Sequence, residues 1–483
     1  MCGFISVFGP RGGQVVSEVL RGLLAVQHRG QDAAGIVTFD QKFHAKKGIG
    51  LVRDVFTEKH VERLKGNMAV GHVRYPTVGS RTEKDVQPFW LDFPLGIAMA
   101  HNGNVTNYLD LRDRYFPERG CHMASECDLE AILFVFASSL INDPGGPVTA
   151  KRVFSAISEV FERVKGAYSV VGMIPRSGMF AFRDPYGIKP IVMGERTNGE
   201  RSFAIASESV VLDVNGYDVQ RDLGPGEALF IDMDYQISTA RLAEKPHRPC
   251  IFELVYFARP DSFLDEVSVY KSRLRMGEAL ARTWAGQGLD ADVVIPVPES
   301  ARIAALSMAQ ELGIPYREGF VKNRYIGRTF IMPRDSERRD SLNIKLNTIP
   351  LEFDDKKVLI VDDSIVRGNT SRQLVRLARK AGAKKVYLAS CSPPLRFPCP
   401  YGIDMSTKKE FIARDRTPVE VADAIGADAV VYQDLGDLEE TGLRGNPSLD
   451  RFCKACFDGE YPTPDLTEEH LAAIEQERTC AQA

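Results

Sequence analysis

No apolar run in this 483-residue chain reaches the roughly 18 residues that a bilayer-spanning helix needs, so no membrane partner is expected. Neither sign of charge dominates: 61 Lys and Arg against 65 Asp and Glu leave −4, which gives no reason to expect nucleic acid or an anionic surface as a partner. The first residues, MCGFISVFGPRGG, carry neither a basic n-region nor a long apolar h-region, and they do not read as a signal peptide. A cytoplasmic location is the expectation. Disulfide pairing is also missing as a pattern, because nine cysteines are odd in number and scattered. Thiol or metal chemistry is the better use for them. Internal repeats and low-complexity tracts are absent, which removes solenoid and fibrous architectures.

What is present is ordinary globular composition, 44% hydrophobic and 26% charged, with a mean hydropathy of −0.18. A chain this long exceeds one core, and two to three domains are expected. In the first half, short strands cluster at Gly35–Asp40, Met68–Arg74, Gly96–Ala100, Tyr168–Ile174, Met179–Phe182, Phe203–Ala206 and Ala228–Ile231. Helical periodicity is confined there to Val15–Gln27, Glu126–Leu140 and Val153–Val164. That predicts layered sheets covered by helices. The polar, proline-containing stretch Ala240–Pro249 reads as a boundary. Beyond it, strands at Val293–Ile295, Val358–Val361, Val386–Ala389 and Ala429–Tyr432 alternate with helices at Ala301–Leu312 and Ser371–Ala381, the pattern of a doubly wound parallel sheet. From Thr467 onward an amphipathic helix is predicted. The expected domains are 2–239, 250–464 and a helical tail at 465–483.

Val358–Thr370 (VLIVDDSIVRGNT) carries the most chemistry. Four apolar residues run into two aspartates, and a loop of small residues then opens a helix. A buried parallel strand thus delivers carboxylates at its C-terminal end, and the loop turns its N–H groups toward an anion at a helix N-terminus. A sugar phosphate fits both. The order resembles the fingerprint of type I phosphoribosyltransferases, which bind phosphoribosyl pyrophosphate (PRPP). That resemblance implies Asp362 and Asp363 on the ribose hydroxyls and Mg²⁺, with Ser364, Ile365, Val366, Arg367, Gly368, Asn369 and Thr370 receiving the 5-phosphate. Ile295–Ala301 (IPVPESA) is a further βα turn whose N–H groups would cradle pyrophosphate, with Ser300 approaching Mg²⁺. Lys322–Ile349 holds seven Lys or Arg against three Asp or Glu. Beside a diphosphate leaving group it reads as a flap that closes and excludes water.

Cys2 follows the initiator Met and precedes Gly3, and a small second residue permits Met removal. A terminal amine with a pKa of about 7.7–8.0 then serves as base for its own thiol. Gln27–Gly35 (QHRGQDAAG), Gly71–Gly79 (GHVRYPTVG), His101–Asn107 (HNGNVTN) and Ser125–Glu130 (SECDLE) resemble, in order and spacing, class II glutamine amidotransferases. The resemblance implies that Cys2 attacks the glutamine carboxamide, Arg74 forks onto the substrate α-carboxylate and Asp128 holds the α-ammonium. Asn102 and the Gly103 N–H would form the oxyanion hole. The histidines within these motifs, His28, His72 and His101, read as structural hydrogen-bonding residues.

Cys453 and Cys456 form a CxxC unit, while Cys399 lies between prolines and Cys250 follows the boundary. On spacing alone a Cys₄ zinc site, an iron–sulfur cluster and inert core thiols all remain open. Cys121, Cys127, Cys391 and Cys480 carry no assignment.

Glutaminase motifs followed by a PRPP fingerprint resemble the glutamine phosphoribosylpyrophosphate amidotransferase family over essentially the whole chain to Pro464. The resemblance implies an αββα Ntn-hydrolase sandwich joined to a type I phosphoribosyltransferase domain. It implies ammonia released at Cys2, an internal channel, and 5-phosphoribosylamine made with release of pyrophosphate, the first committed step of purine synthesis. It further implies Mg²⁺, a homotetramer, feedback inhibition by purine nucleotides and, in one branch, a [4Fe–4S] cluster on Cys250, Cys399, Cys453 and Cys456. Members of that branch commonly carry a short propeptide, whereas here Met1 alone precedes Cys2. A sugar isomerase or asparagine synthetase on the same glutaminase lacks the PRPP fingerprint. A PRPP-sensing regulator would have no use for an oxyanion hole.

Overall fold

The computed structural model describes all residues except 1, 76–81, 94, 143–145, 198, 324–345, 404–406 and 483. Residues 3–241 form strands β1 (Gly3–Phe8), β2 (Ala33–Phe39), β3 (Phe43–Ile49), β4 (Met68–Arg74), β5 (Phe89–Leu91), β6 (Ile97–Val105), β7 (Gly166–Ile174), β8 (Gly178–Arg183), β9 (Val192–Arg196), β10 (Ser202–Ala206), β11 (Asp218–Asp222), β12 (Glu227–Asp232) and β13 (Ile237–Arg241). They assemble into two antiparallel sheets, β11-β9-β10-β1-β4-β2-β3 and β13-β12-β8-β7-β6-β5. The period-2 alternation of β1 explains the layering. Phe4 and Phe8 enter the core between the sheets, beside Ala98, Ala100 and Val171. Ile5 and Val7 face the other way, onto Val19 and Leu23 of the helix Val16–Ala25. The second sheet is covered by the helices Leu129–Asn142 and Ala150–Arg163. Four layers, αββα, result.

Leu129–Asn142 starts three residues later than periodicity predicts. Glu126 and Asp128 are held in a loop instead: the Glu126 N–H donates to Asp85 Oδ1 at 3.0 Å, and Asp128 accepts from the Val105 N–H. The edge strands β11 and β13 were not foreseen, because edge strands with one wet face lack an apolar run, and β11 is almost wholly exposed.

Residues 242–249 carry neither helix nor strand. After them come the small hairpin β14 (Phe263–Leu264) and β15 (Val267–Ser268), then β16 (Val293–Pro296), β17 (Phe320–Lys322), β18 (Leu346–Thr348), β19 (Lys357–Asp362), β20 (Lys385–Ser390) and β21 (Ala429–Tyr432). β16-β19-β20-β21 is a parallel sheet. Two pairs of helices pack on it, Val269–Ala285 with Arg302–Leu312 and Asn369–Lys380 with Pro418–Ile425. The first of these is a 17-residue helix that the sequence reading omits; its Lys and Arg residues dilute the apolar stripe, yet Met276, Leu280 and Trp284 still meet the core. Most of the expected basic flap, 324–345, lies outside the described residues, and its two ends pair as β17 and β18. A terminal helix spans Glu468–Gln482. Among the described residues no helix is long and apolar enough to cross a membrane.

Candidate functional site

Cys2 sits immediately before β1, 7% exposed, in the middle of the seven-stranded sheet. Its N–H donates to Asn102 Oδ1 at 3.2 Å, and its thiol faces the Tyr75 carbonyl at 3.7 Å. Asn102 lies on β6 and is fully buried. Because its oxygen is taken by Cys2, its amide is oriented, and Nδ2 is left buried with no hydrogen-bond partner among the described residues. Such an orphan donor is costly unless an acceptor arrives to meet it. Gly103 follows with φ +149°. Arg74, at the buried end of β4, approaches Asp85 at 3.9 Å. Asp128 Oδ2 accepts the Val105 N–H at 2.8 Å, and Oδ1 lies 3.3 Å from His101 Nε2. Burial works to raise the Asp128 pKa, but His101, the Val105 N–H and Arg74 outweigh it and hold the carboxyl below its ordinary range. Glu130 ties down the preceding loop by accepting from the Ala124 and Ser125 N–H groups at 2.9 and 2.8 Å. The fold therefore brings Cys2, Asn102, Gly103, Arg74 and Asp128 into one locale. Residues 76–79 of the Gly71–Gly79 motif lie outside the described residues.

On the parallel sheet, Pro296 of β16 pairs with Val361 of β19, so both strands end at the same carboxyl edge. There Ser300 Oγ and Ser364 Oγ both donate to Asp363, the latter at 2.7 Å. The Asp363 N–H donates to Asp362 Oδ1 at 2.9 Å. Burial and then the neighbouring carboxylate push Asp362 well above the usual range, and burial raises Asp363 as well. A buried acid pair of this kind calls for a cation or for hydroxyl donors. The helix Asn369–Lys380 begins one residue after Gly368, whose φ of +74° favours glycine. Ser364, Val366, Arg367, Gly368, Asn369 and Thr370 line the cavity above this edge. Ile365 does not: its side chain belongs to the sheet core, leaving only its main chain for a ligand. Arg367 is engaged with Glu410 at 3.1 Å.

That cavity, about 520 Å³, is shared by the two halves of the chain. His28, Arg29 and Tyr75 contribute from the first half, and Ser300, Asp362 and Asp363 from the second. Tyr75 belongs to both sites, since its carbonyl faces the Cys2 thiol. Arg29 is fully buried between Glu208 and Glu253; Nη2 donates to Glu253 Oε2 at 2.8 Å and Nε donates to Glu208 Oε1. Glu208 also accepts from Ser262 Oγ at 2.7 Å and from the Arg259 N–H at 3.0 Å. Burial opposes its charge, yet Arg29 and His28 hold Glu208 far below the usual carboxylate range.

Cys250, Cys399, Cys453 and Cys456 share one buried cluster, and none is in a disulfide. Main-chain bonds gather them: the Cys453 N–H donates to Pro249 O at 2.8 Å, the Ile251 N–H to Cys453 O at 3.1 Å, and the Phe397 N–H to Cys456 O at 3.1 Å. Burial pushes the Cys250 thiol up to about 12, and burial followed by neighbouring thiols raises Cys453 and Cys456. Among the described residues no set of three or more His, Cys, Asp or Glu side chains is arranged to hold a single metal ion.

Sequence reasoning missed Tyr75, Glu208 and Glu253. Glu208 and Glu253 meet Arg29 from 179 and 224 residues away, a pairing that no local motif signals.

Comparison with known proteins agrees with both halves. The glutamine amidotransferase domain family matches residues 72–214, and the phosphoribosyl transferase domain family matches residues 273–391. The amidophosphoribosyltransferase of Escherichia coli is 49% identical over 480 residues, 98% of this chain and 94% of that protein. That of Schizosaccharomyces pombe is 46% identical, over 99% of this chain and 93% of that protein. The solved glutamine PRPP amidotransferase of B. subtilis, complexed with ADP and GMP, superposes with a TM-score of 0.85 at 34% identity, covering 97% of this chain and 100% of that one.

Proposed function

The chain belongs to the amidophosphoribosyltransferases, and from that premise we propose how its residues divide the work. The reaction is glutamine-dependent amination of PRPP in purine biosynthesis, giving 5-phosphoribosylamine, glutamate and pyrophosphate. Residues 2–239 act as the glutaminase and 250–464 as the phosphoribosyltransferase, with 465–483 as a helical tail.

With Met1 removed, the α-amine of Cys2 takes the thiol proton and the sulfur attacks the glutamine carboxamide. Arg74 receives the substrate carboxylate and Asp128 its ammonium. As the carbonyl oxygen gains charge, Asn102 Nδ2 and the Gly103 N–H meet it; the unpartnered Nδ2 supports this assignment. The amine then returns a proton to the departing ammonia, and water releases glutamate. Replacing Asn102 with alanine is expected to lower glutamine-driven kcat by about 10²–10³-fold, with ammonia-driven turnover as the control in the same pyrophosphate assay.

Ammonia passes to the acceptor through the shared cavity, the observation that carries the two-site reading. There Asp362 and Asp363 receive the ribose hydroxyls, Ser364 to Thr370 the 5-phosphate, and the turn at Ser300 the pyrophosphate. Ammonia needs no base to attack C1. The buried acid pair with Ser300 suits Mg²⁺, which when bound neutralises pyrophosphate charge. The deciding experiment is pyrophosphate release from PRPP and Mg²⁺ with glutamine as donor. Its absence with glutamine and with ammonia alike would refute the reading.

The four gathered thiols suit a [4Fe–4S] cluster on Cys250, Cys399, Cys453 and Cys456, joining the linker, the core and the C-terminal segment. Thiols buried without a metal resist ionisation, and iron would supply the missing positive charge. Brown protein with about four iron per chain, lost in Cys399→Ser, is the expected result; colourless protein with zinc would reject iron. Inhibition by purine nucleotides is proposed from the ADP- and GMP-bound relative. A homotetramer in the cytoplasm completes the proposal.

A further inference from the structure

The glutamine side holds a residue outside every motif above. Gln87 is 2% exposed, and each polar atom of its amide is engaged. Its Oε1 accepts the His101 main-chain N–H at 2.9 Å, which fixes the amide's orientation. Its Nε2 therefore faces His101 Nδ1 at 2.9 Å, and the same NH₂ group reaches Cys127 Sγ at 3.5 Å. An amide NH₂ can only donate, so Nδ1 accepts and the neutral ring carries its proton on Nε2. That Nε2–H is the group 3.3 Å from Asp128 Oδ1. Gln87 is itself seated by close backbone approach: a Cβ on Gly35 would stand 2.1 Å from the Gln87 carbonyl oxygen. One glutamine thus sets a histidine tautomer, and the histidine faces the carboxylate assigned to substrate.

We propose that Gln87 is a positioning residue for glutamine, fixing the His101 tautomer and through it the aim and charge of Asp128. This rests on the assignment of Asp128 to the substrate α-ammonium. In Gln87→Glu the ring meets an acceptor at Nδ1. Either its proton moves there, turning a lone pair toward Asp128, or the ring becomes an imidazolium that neutralises Asp128. Both weaken the hold on an ammonium.

The expected result is a glutamine KM raised by about tenfold or more, with kcat at saturating glutamine and ammonia-driven turnover each within about threefold of the parent. In ¹⁵N-histidine NMR spectra, one ring should leave the neutral Nε2–H pattern. Should Gln87→Glu fail to fold, judged by lost ammonia-driven turnover, the volume-conserving Gln87→Met supplies the same KM test. An unchanged KM and histidine spectrum in Gln87→Glu, while Asp128→Asn raises KM, would overturn the proposal alone. Equal loss of both donor activities in the two Gln87 variants would reduce Gln87 to a packing residue. An unmoved KM in Asp128→Asn would instead remove the Asp128 assignment itself.

Discussion

Replacing Cys2 with alanine should reduce glutamine-driven pyrophosphate release by about 10⁴-fold or more while ammonia continues to drive the reaction. The asymmetry follows from the geometry. Alanine keeps the main-chain N–H that donates to Asn102 and removes only the sulfur that faces Tyr75. Nothing on the carboxyl edge of the parallel sheet depends on that sulfur. Asp362, Asp363 and the loop to Thr370 open onto the shared cavity whether or not ammonia is generated beside it. Cys2→Ser should fall between, since a hydroxyl is the weaker nucleophile near neutral pH. The check is pyrophosphate formed with each donor in turn. Parallel loss of both activities would mean that Cys2 supports the fold instead of the chemistry, and robust glutamine-driven turnover without it would remove the nucleophile.

What could be read directly from the chain was whatever its neighbours in sequence also serve. Asp362 and Asp363 announce themselves because strand, acid pair and phosphate loop are consecutive, and β19 with its following helix is built in that order. Asn102 and Gly103 are likewise adjacent on one strand. The layering of sheets under helices was legible because β4 and β7 are buried on both faces and are mostly apolar, whereas β1, equally buried, was not read as a strand. Gln87 was not legible. Its role comes from bonds to His101 made by the loop just before β5, and its residue type is common on any surface. Ile365 is the converse case, since a residue inside the fingerprint turns its side chain into the core and offers a ligand only its main chain. The pairing of Arg29 with Glu208 and Glu253 is a tertiary fact, set when the linker folds back onto the sandwich.

That pairing makes the second large prediction. Arg29→Met should destabilise the protein by about 3–5 kcal/mol at neutral pH, because it strands two carboxylates in the interior. The arginine is fully buried, and both partners are almost as dry. The sign of the pH dependence follows from Glu208, whose pKa lies far below its unfolded value. A depressed carboxyl contributes fully above its unfolded pKa of about 4.3 and loses that contribution as pH falls toward the folded value. In the variant Glu208, lacking the guanidinium, is pushed upward by burial and takes up a proton first. The deficit relative to the parent should therefore be greatest at neutral and alkaline pH and should narrow in mild acid. Urea unfolding of parent and variant across that range measures it. Adding Glu208→Gln and Glu253→Gln to Arg29→Met should recover much of the loss, since the stranded charges, not the missing arginine, carry most of the cost. A deficit below about 1 kcal/mol, the size expected of an exposed pair, would mean that water reaches this junction. The linker and the sandwich would then be joined mainly by apolar contact around Cys250 and Phe252.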